Sequence, residues 1–145
     1  MGKRFVVAID GSQHGWKALD LATTLAKVSD AELALVYVVP FDPLVWAETE
    51  GLFTQGQKVH LHRRTLGDKI TVDGEALVRQ HGLNNVTSSV VEGDVAEKLI
   101  EFVENTNADM LFVGSRGLSD LKGLLLGSVS HKLTHLAPCS CVVVR

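Results

Sequence analysis

Apolar runs of strand length alternate along this chain with segments in which apolar residues recur at helical spacing. The apolar runs cover residues 4–10, 31–39, 85–91, 109–114 and 140–144. The helical patterns cover residues 14–28, a long segment ending near Gly82, a segment opened by Gly93-Asp94, and residues 128–136. Strands that alternate with helices are typical of βα units, whose strands form a parallel sheet. The pattern therefore predicts an α/β fold.

The same spacing predicts which face of each helix is buried. In the first helix the apolar stripe consists of Ala18, Leu21, Ala22, Leu25 and Val28. In the long helix the corresponding stripe consists of Val59, His62, Leu66, Ile70, Asp73 and Leu77. At the start of the third helix, Asp94 and Glu97 have the spacing of a capping box, and its buried face is expected to be Ala96, Leu99, Ile100 and Val103.

Five parallel strands joined by right-handed crossovers form a doubly wound sheet with helices on both faces. We expect the strand order 3-2-1-4-5 in one domain that covers residues 1–145. In that order strands 1 and 4 are neighbours at the topological switch point, where ligands of open α/β sheets bind. Asp10 ends strand 1, and a glycine motif begins where strand 4 ends. Asp10 and the glycine motif thus both predict a ligand-binding crevice at the ends of strands 1 and 4.

The glycine motif has the pattern G-x2-G-x9-G-S, formed by Gly114, Gly117 and Gly127-Ser128, and it directly follows the apolar run 110–113. Glycine lets the backbone approach an anion closely, and amides at a helix N-terminus attract negative charge. The full spacing therefore favours phosphate binding. The alternative is that Gly114 and Gly117 only form a turn and that Ser128 only caps a helix.

Composition narrows the classes of partner. A net charge of −3 and a pI near 6.0 argue against nucleic acid or an anionic membrane as the main partner. No apolar run approaches the ~20 residues that a membrane span requires, and residues 1–5 show no signal-peptide cleavage pattern. Cys139 and Cys141 are the two cysteines, and they are expected to be reduced core residues. We expect a cytoplasmic protein.

Five segments together resemble the universal stress protein family. They are V-V-A-I-D-G-S at 6–12, E-G-D-V-A-E-K-L-I-E at 92–101, A-D-M-L-F-V-G-S-R-G at 108–117, L-L-L-G-S-V-S-H-K-L at 124–133 and A-P-C-S-C-V-V-V-R at 137–145. The resemblance covers the chain except residues 40–56. The glycine-serine pattern is similar to that of the branch of the family that binds ATP.

The resemblance implies an ATP site, with Mg²⁺ or Mn²⁺, that can be carried over position by position. The adenosine side would be formed by Ala8, Ile9, Asp10 and the backbone of Val38. The loop around ribose and phosphates would be Val113, Gly114, Arg116 and Gly117, and the phosphate cradle Gly127, Ser128, Val129 and Ser130. Ala8 departs from the pattern, because ATP-binding relatives often carry proline there.

Two of these residues have alternative roles. A carboxylate such as Asp10 can accept hydrogen bonds from ribose hydroxyls or help to hold a divalent ion shared with phosphates. It could instead cap the first helix, in competition with Ser12 for that position. Arg116 could form bidentate contacts to phosphate or could point to solvent.

The last strand is expected to lie at a sheet edge, with an apolar run, Cys141 to Val144, that has no lysine or proline to discourage pairing. This unprotected edge predicts a homodimer formed by two-fold pairing of the strand with its own copy. The resemblance also implies such a dimer.

For function we expect an ATP-binding stress-response sensor or regulator. The alternatives are a slow ATPase or autophosphorylating enzyme, and a dimerisation module with an empty site. No P-loop lysine motif is present, so any turnover is expected to be slow. The long loop at residues 41–56, with Trp46 and Phe53, is a candidate lid.

Overall fold

The computed structural model describes residues 2–41, 55–117 and 126–145. The strands are β1 (Arg4–Ala8), β2 (Glu32–Pro40), β3 (Val86–Gly93), β4 (Met110–Gly114) and β5 (Ser140–Val144). The helices in the described part are α1 (Gln13–Ser29), α2 (Gln55–Gln80), α3 (Val95–Thr106) and α4 (Ser128–Leu136). The candidate lid, with Trp46 and Phe53, lies mostly outside the described residues.

All strand pairs are parallel, and the order across the sheet is β3-β2-β1-β4-β5. The predicted doubly wound α/β fold and its strand order are therefore confirmed. β1 ends at Ala8 beside β4, and the two strands pair from Phe5 with Met110 to Val7 with Phe112. The switch point thus lies between the C-terminal ends of β1 and β4.

Helices cover both faces of the sheet, because alternate side chains of each strand enter different cores. One core lies under α1 and α2 and takes Phe5, Val7 and Phe112 from β1 and β4. The other lies under α3 and α4 and takes Val6 and Leu111 from the same two strands. A sheet buried on both faces explains why the strands appear in the sequence as continuous apolar runs.

The predicted buried face of α1 was partly wrong. Val28 is 83% exposed and Leu21 is 37% exposed. The face that meets the sheet is instead formed by Gly15, Ala18, Leu19, Ala22, Thr23 and Ala26. Most side chains on this face are small, which lets the helix lie close to the strands, and Leu21 and Val28 lie outside the contact.

The predicted stripe on α2 was also partly wrong, although Ile70 is buried and Leu66 packs against the core as expected. His62, Asp73 and Leu77 are exposed, and the buried positions are Gly67, Ile70, Thr71, Gly74 and Val78. A Cβ atom on Gly67 would lie 2.6 Å from the ring of Tyr37. Glycine is therefore required for the close approach of α2 to β2, and a count of large apolar residues overlooks it.

The ends of α3 follow the sequence pattern. The Asp94 carboxylate accepts a hydrogen bond from the Glu97 N–H at 3.0 Å, as the predicted N-cap requires. Ala96, Leu99 and Val103 are buried, whereas Ile100 is only partly buried.

Within the ranges described, no helix combines the length and the apolar character needed to cross a membrane.

The two cysteines are free thiols and only partly buried, so they lie at the margin of the core rather than inside it. Burial, and to a smaller extent the neighbouring Cys139, raises the pKa of Cys141 to about 11. At neutral pH this thiol is therefore protonated and unreactive as a nucleophile.

Candidate functional site

A cavity of about 350 Å³ opens at the C-terminal ends of β1, β2 and β4. This volume lies within the range of small-molecule sites, and the position is the switch point at which doubly wound sheets bind ligands. Every site residue predicted from the sequence lines it except Gly127. Those residues are Ala8, Ile9, Asp10, Val38, Val113, Gly114, Arg116, Gly117, Ser128, Val129 and Ser130.

The turn after β1 fixes the carboxylate of Asp10 in the cavity wall. Asp10 Oδ1 accepts a hydrogen bond from the Ser12 N–H at 2.9 Å, and Ser12 Oγ accepts one from the Gly15 N–H at 3.1 Å. Ser12 is therefore the N-cap of α1. Gly11 has a φ of +85°, a conformation that favours glycine. Asp10 is left to line the cavity rather than to cap the helix.

Gly15 keeps the space that this carboxylate occupies. A Cβ atom on Gly15 would lie 2.9 Å from Asp10 Oδ1 and 3.2 Å from Ser12 Oγ. A larger residue there would displace the carboxylate from its position.

The glycine motif has a packing role at its first position. A Cβ atom on Gly114 would lie 2.8 Å from the backbone carbonyl carbon of His14 and 2.9 Å from the Gly15 nitrogen. The end of β4 therefore passes directly against the first turn of α1. This contact brings the Asp10 turn and the glycine motif to the same cavity.

Ser130 and Ser115 hold the two halves of the motif together. The buried hydroxyl of Ser130 donates to the carbonyl oxygens of Gly114 and Ser115, at 2.9 and 3.1 Å. The Gly127 N–H also donates to the Ser115 carbonyl. Ser130 thus uses its proton within the protein, and its oxygen faces the cavity only as an acceptor.

The N-terminus of α4 faces the cavity without a side-chain cap. Gly127 is its N-cap residue and provides no side chain to accept from the first-turn amides. Ser128 and Val129, the first residues of the helix, line the cavity together with Arg116. Open amides, the helix dipole and a guanidinium together favour an anion at this end.

Val38 presents backbone groups to the cavity at the opposite end. The Ile9 N–H donates to the Val36 carbonyl at 2.9 Å, so the backbone of Val36 faces β1. Because strand residues alternate the side to which their backbone groups point, Val38 faces the same way. β1 ends opposite Val36. At Val38 the backbone N–H and C=O therefore face the cavity instead of a neighbouring strand.

Several lining residues were missed by the sequence analysis. Ser12 and Gly15 belong to the Asp10 turn, the other polar ones are Tyr37 on β2 and Arg63 on α2, and the apolar ones are Val36, Pro40, Leu66, Val95 and Leu99. Arg63 lies three and seven residues before Leu66 and Ile70, on the stripe of α2 that faces the sheet. Because glycine and threonine occupy Gly67, Thr71 and Gly74 of the same face, no continuous apolar pattern marked the position of Arg63 in the sequence.

A contact between His14 and Ser115 was also missed, because the two residues are 101 positions apart. His14 Nδ1 lies 2.8 Å from Ser115 Oγ. Ser115 is only 1% exposed, so this hydroxyl is closed off from a ligand and the pair fastens α1 to the glycine motif.

No group of three or more histidine, cysteine, aspartate or glutamate side chains is placed to hold a metal ion among the residues described. Asp10 is the one carboxylate on the described cavity wall. A divalent ion here would need phosphate oxygens and water for most of its ligands, which is the usual way that Mg²⁺ binds.

The fold and the cavity define a doubly wound α/β domain whose cavity lies at the switch point, between the uncapped N-terminus of α4 and the end of β2. The profile of the universal stress protein family matches residues 1–145, and the chain belongs to that family. It is 31% identical over 149 residues to the universal stress protein YxiE of Bacillus subtilis, with full coverage of both chains.

Two solved structures show the same fold. The universal stress protein UspA from Lactobacillus plantarum superimposes with a TM-score of 0.84 at 17% identity, over 99% of this chain and 97% of that one. A universal stress protein in complex with cAMP superimposes with a TM-score of 0.74 at 23% identity, over 99% and 97%.

Proposed function

We propose that this protein binds ATP together with a divalent cation in the cavity and acts as a nucleotide-dependent regulator in the stress response of the cytoplasm. The observation that carries the proposal is the convergence of the Asp10 turn, Val38 and both halves of the glycine motif on one cavity. The related protein solved with cAMP supports a nucleotide as the class of ligand.

Each part of a nucleotide has a matching group in the cavity. The phosphates fit the uncapped N-terminus of α4 and the guanidinium of Arg116. The carboxylate of Asp10 suits ribose hydroxyls or a cation shared with the phosphates. The backbone of Val38 offers a donor and an acceptor to the edge of adenine. The bound cation would neutralise phosphate charge beside the carboxylate.

Calorimetry with ATP and GTP tests the proposal. We expect micromolar ATP binding, about −8 kcal/mol, and weaker binding of GTP, because the backbone groups of Val38 are fixed in one donor and acceptor pattern. Equal affinity for the two nucleotides would remove the adenine assignment, and failure to bind either would remove the nucleotide function.

A charge placed at Ser128 separates ligand binding from folding. Ser128 is exposed and begins α4, where a carboxylate stabilises a helix by about 0.3–1 kcal/mol. Ser128→Glu should keep or raise the melting temperature. It should weaken ATP binding by about tenfold or more, because a like charge near phosphate costs at least about 1.4 kcal/mol. Ser128→Gln is the matched neutral control.

The edge position of β5 supports a homodimer as the assembled form. β5 is the last strand of the sheet, and no described strand pairs with its outer side. Its side chains are exposed at Ser140 and partly buried from Cys141 to Val144, and pairing with a second copy would satisfy the open backbone groups.

Two other functions are distinguished by simple measurements. Steady-state release of phosphate from ATP would indicate a slow ATPase. A purified protein that carries no nucleotide and binds none, but is dimeric, would indicate a dimerisation module. The described lining has two arginines and one carboxylate among its charged groups, an arrangement better suited to holding phosphates than to rapid phosphoryl transfer.

A further inference from the structure

Two polar residues in the cavity belong to neither the glycine motif nor the Asp10 turn. Tyr37 lies on β2 and Arg63 on α2, and both line the cavity. Tyr37 projects into the core under α1 and α2, whereas its neighbours Val36 and Val38 project to the opposite face. The cavity therefore has a second polar side, on the α2 face of the sheet.

The ring of Tyr37 is held in one place. It lies against Gly67 of α2 so closely that a Cβ atom there would be 2.6 Å from the ring carbon Cδ1. The residue is 6% exposed. This packing fixes where the hydroxyl points without any help from hydrogen bonds.

The hydroxyl of Tyr37 has no hydrogen-bond partner among the described residues. Buried tyrosine hydroxyls usually have one, and a buried polar group without one is costly. Tyr37 lines the cavity, so a bound molecule can supply the partner. The unpaired buried hydroxyl therefore marks a ligand contact.

The charges around Tyr37 indicate which part of a ligand lies there. Burial is the main factor that raises the pKa of Tyr37, Asp10 raises it further, and Arg63 opposes both. The phenol is thus a neutral donor at physiological pH, with a carboxylate and a guanidinium within electrostatic range. Without a cation between them, a carboxylate disfavours a phosphate, but it accepts hydrogen bonds from hydroxyl and amino groups.

We propose that Tyr37 and Arg63 form a second subsite that contacts the nucleoside part of the ligand. The proposal rests on the nucleotide function proposed above. The two side chains donate to ring nitrogens or hydroxyl oxygens, and Asp10 accepts from the ligand's own donors. The phosphates lie at the other end of the cavity, against α4 and Arg116. Selectivity for the nucleoside is then set partly by side chains outside the glycine motif.

Binding of adenosine and ATP to three variants tests this subsite. Tyr37→Phe removes only the hydroxyl and keeps the ring against Gly67. We expect Tyr37→Phe and Arg63→Gln each to weaken adenosine and ATP binding by the same factor, about 3- to 10-fold, which is the loss of one hydrogen bond. Arg64→Gln is the matched control, because Arg64 pairs with Glu92 and does not line the cavity; its affinities should not change.

The outcomes separate this proposal from the nucleotide function. If the wild type binds and Tyr37→Phe binds adenosine equally well, the subsite is wrong and the nucleotide function stands. A loss seen with ATP but not with adenosine would place the contact at the phosphates and overturn the nucleoside assignment. A wild type that binds neither ligand overturns both proposals.

The chain provides a direct spectroscopic readout. Tyr37 is its one tyrosine, so tyrosine ring signals in NMR and phenolate absorbance report on this residue alone. Adenosine should shift the ring signals and move phenolate formation to higher pH, because the bound ligand holds the hydroxyl form. Unchanged signals at saturating adenosine would contradict the contact.

Discussion

Gly114 shows how a single residue links the fold to the site. Alanine at this position would bring a Cβ atom within 2.8–2.9 Å of backbone atoms in His14 and Gly15, and backbone cannot move aside as a flexible side chain can. We expect Gly114→Ala to lower the free energy of unfolding by about 1–3 kcal/mol, measured by urea denaturation. Gly2→Ala is the control, since no atom lies within 4 Å of its added Cβ; equal effects of the two changes would rule out the packing role.

The thiol of Cys141 makes stability depend on alkaline pH. Its pKa rises from 9.0 to about 11 on folding, so between these values the native state holds a proton that the unfolded state has lost. Stability is therefore fully present below pH 9 and falls as pH rises toward 11. Urea midpoints across this range should fall less steeply in Cys141→Ala. The pKa of Tyr37 is also raised, so its titration would add to that of Cys141. The proteins with and without Cys141→Ala are therefore both compared with Tyr37→Phe in place.

At the scale of single residues, the sequence predicted the cavity residues that belong to local patterns. It missed the cavity residues whose position depends on contacts distant in the sequence. Asp10 and the glycines could be found because each follows a strand in a recognisable turn. Tyr37 and Arg63 could not, because their place in the cavity depends on how closely α2 approaches β2. That distance is set by Gly67, a residue that no pattern of apolar side chains reveals.

The two faces of α1 predict opposite sensitivities to substitution. Leu19 is 3% exposed and Val28 is 83% exposed, although both are aliphatic. Leu19→Ala should lower the free energy of unfolding by about 2–5 kcal/mol. Val28→Lys should change it by less than about 0.5 kcal/mol. A large loss of unfolding free energy in Val28→Lys, measured by urea denaturation, would instead support the buried face predicted from the sequence, which includes Val28.

Strands were easier to predict than helix faces for a physical reason. A strand buried on both faces must be apolar at nearly every position, so its location is visible as a continuous run. A helix that packs closely on a sheet can use glycine, alanine and threonine at the contact. The contact face of α2, with Gly67, Thr71 and Gly74, therefore resembles a polar face in the sequence.

For the whole molecule, the direction of the β5 backbone sharpens the test of the dimer. The Ser115 N–H donates to the Val144 carbonyl at 2.7 Å, so Val144 faces β4. By alternation Val142 also faces β4, whereas Cys141 and Val143 face outward. Val143→Pro removes one outward donor and spares the pairing with β4, and light scattering should then give a monomer.

The neighbouring position provides the contrasting variant for this experiment. Val142→Pro removes a donor that faces β4 and should destabilise the fold itself, which a melting curve would show. A Val143→Pro protein that remains a folded dimer would place the interface on another surface.

The hydrogen bond between Ser115 and Val144 connects ligand binding in the cavity to self-association of the protein. Ser115 follows the first glycine of the motif, and its partner lies in the strand proposed to join two copies. A ligand that changes the conformation at Ser115 then also changes the strength of self-association, and linkage requires the effect to be reciprocal. ATP affinity should therefore vary with protein concentration across the range in which the dimer dissociates. In Val143→Pro the affinity should be independent of concentration, and calorimetry over a dilution series measures both.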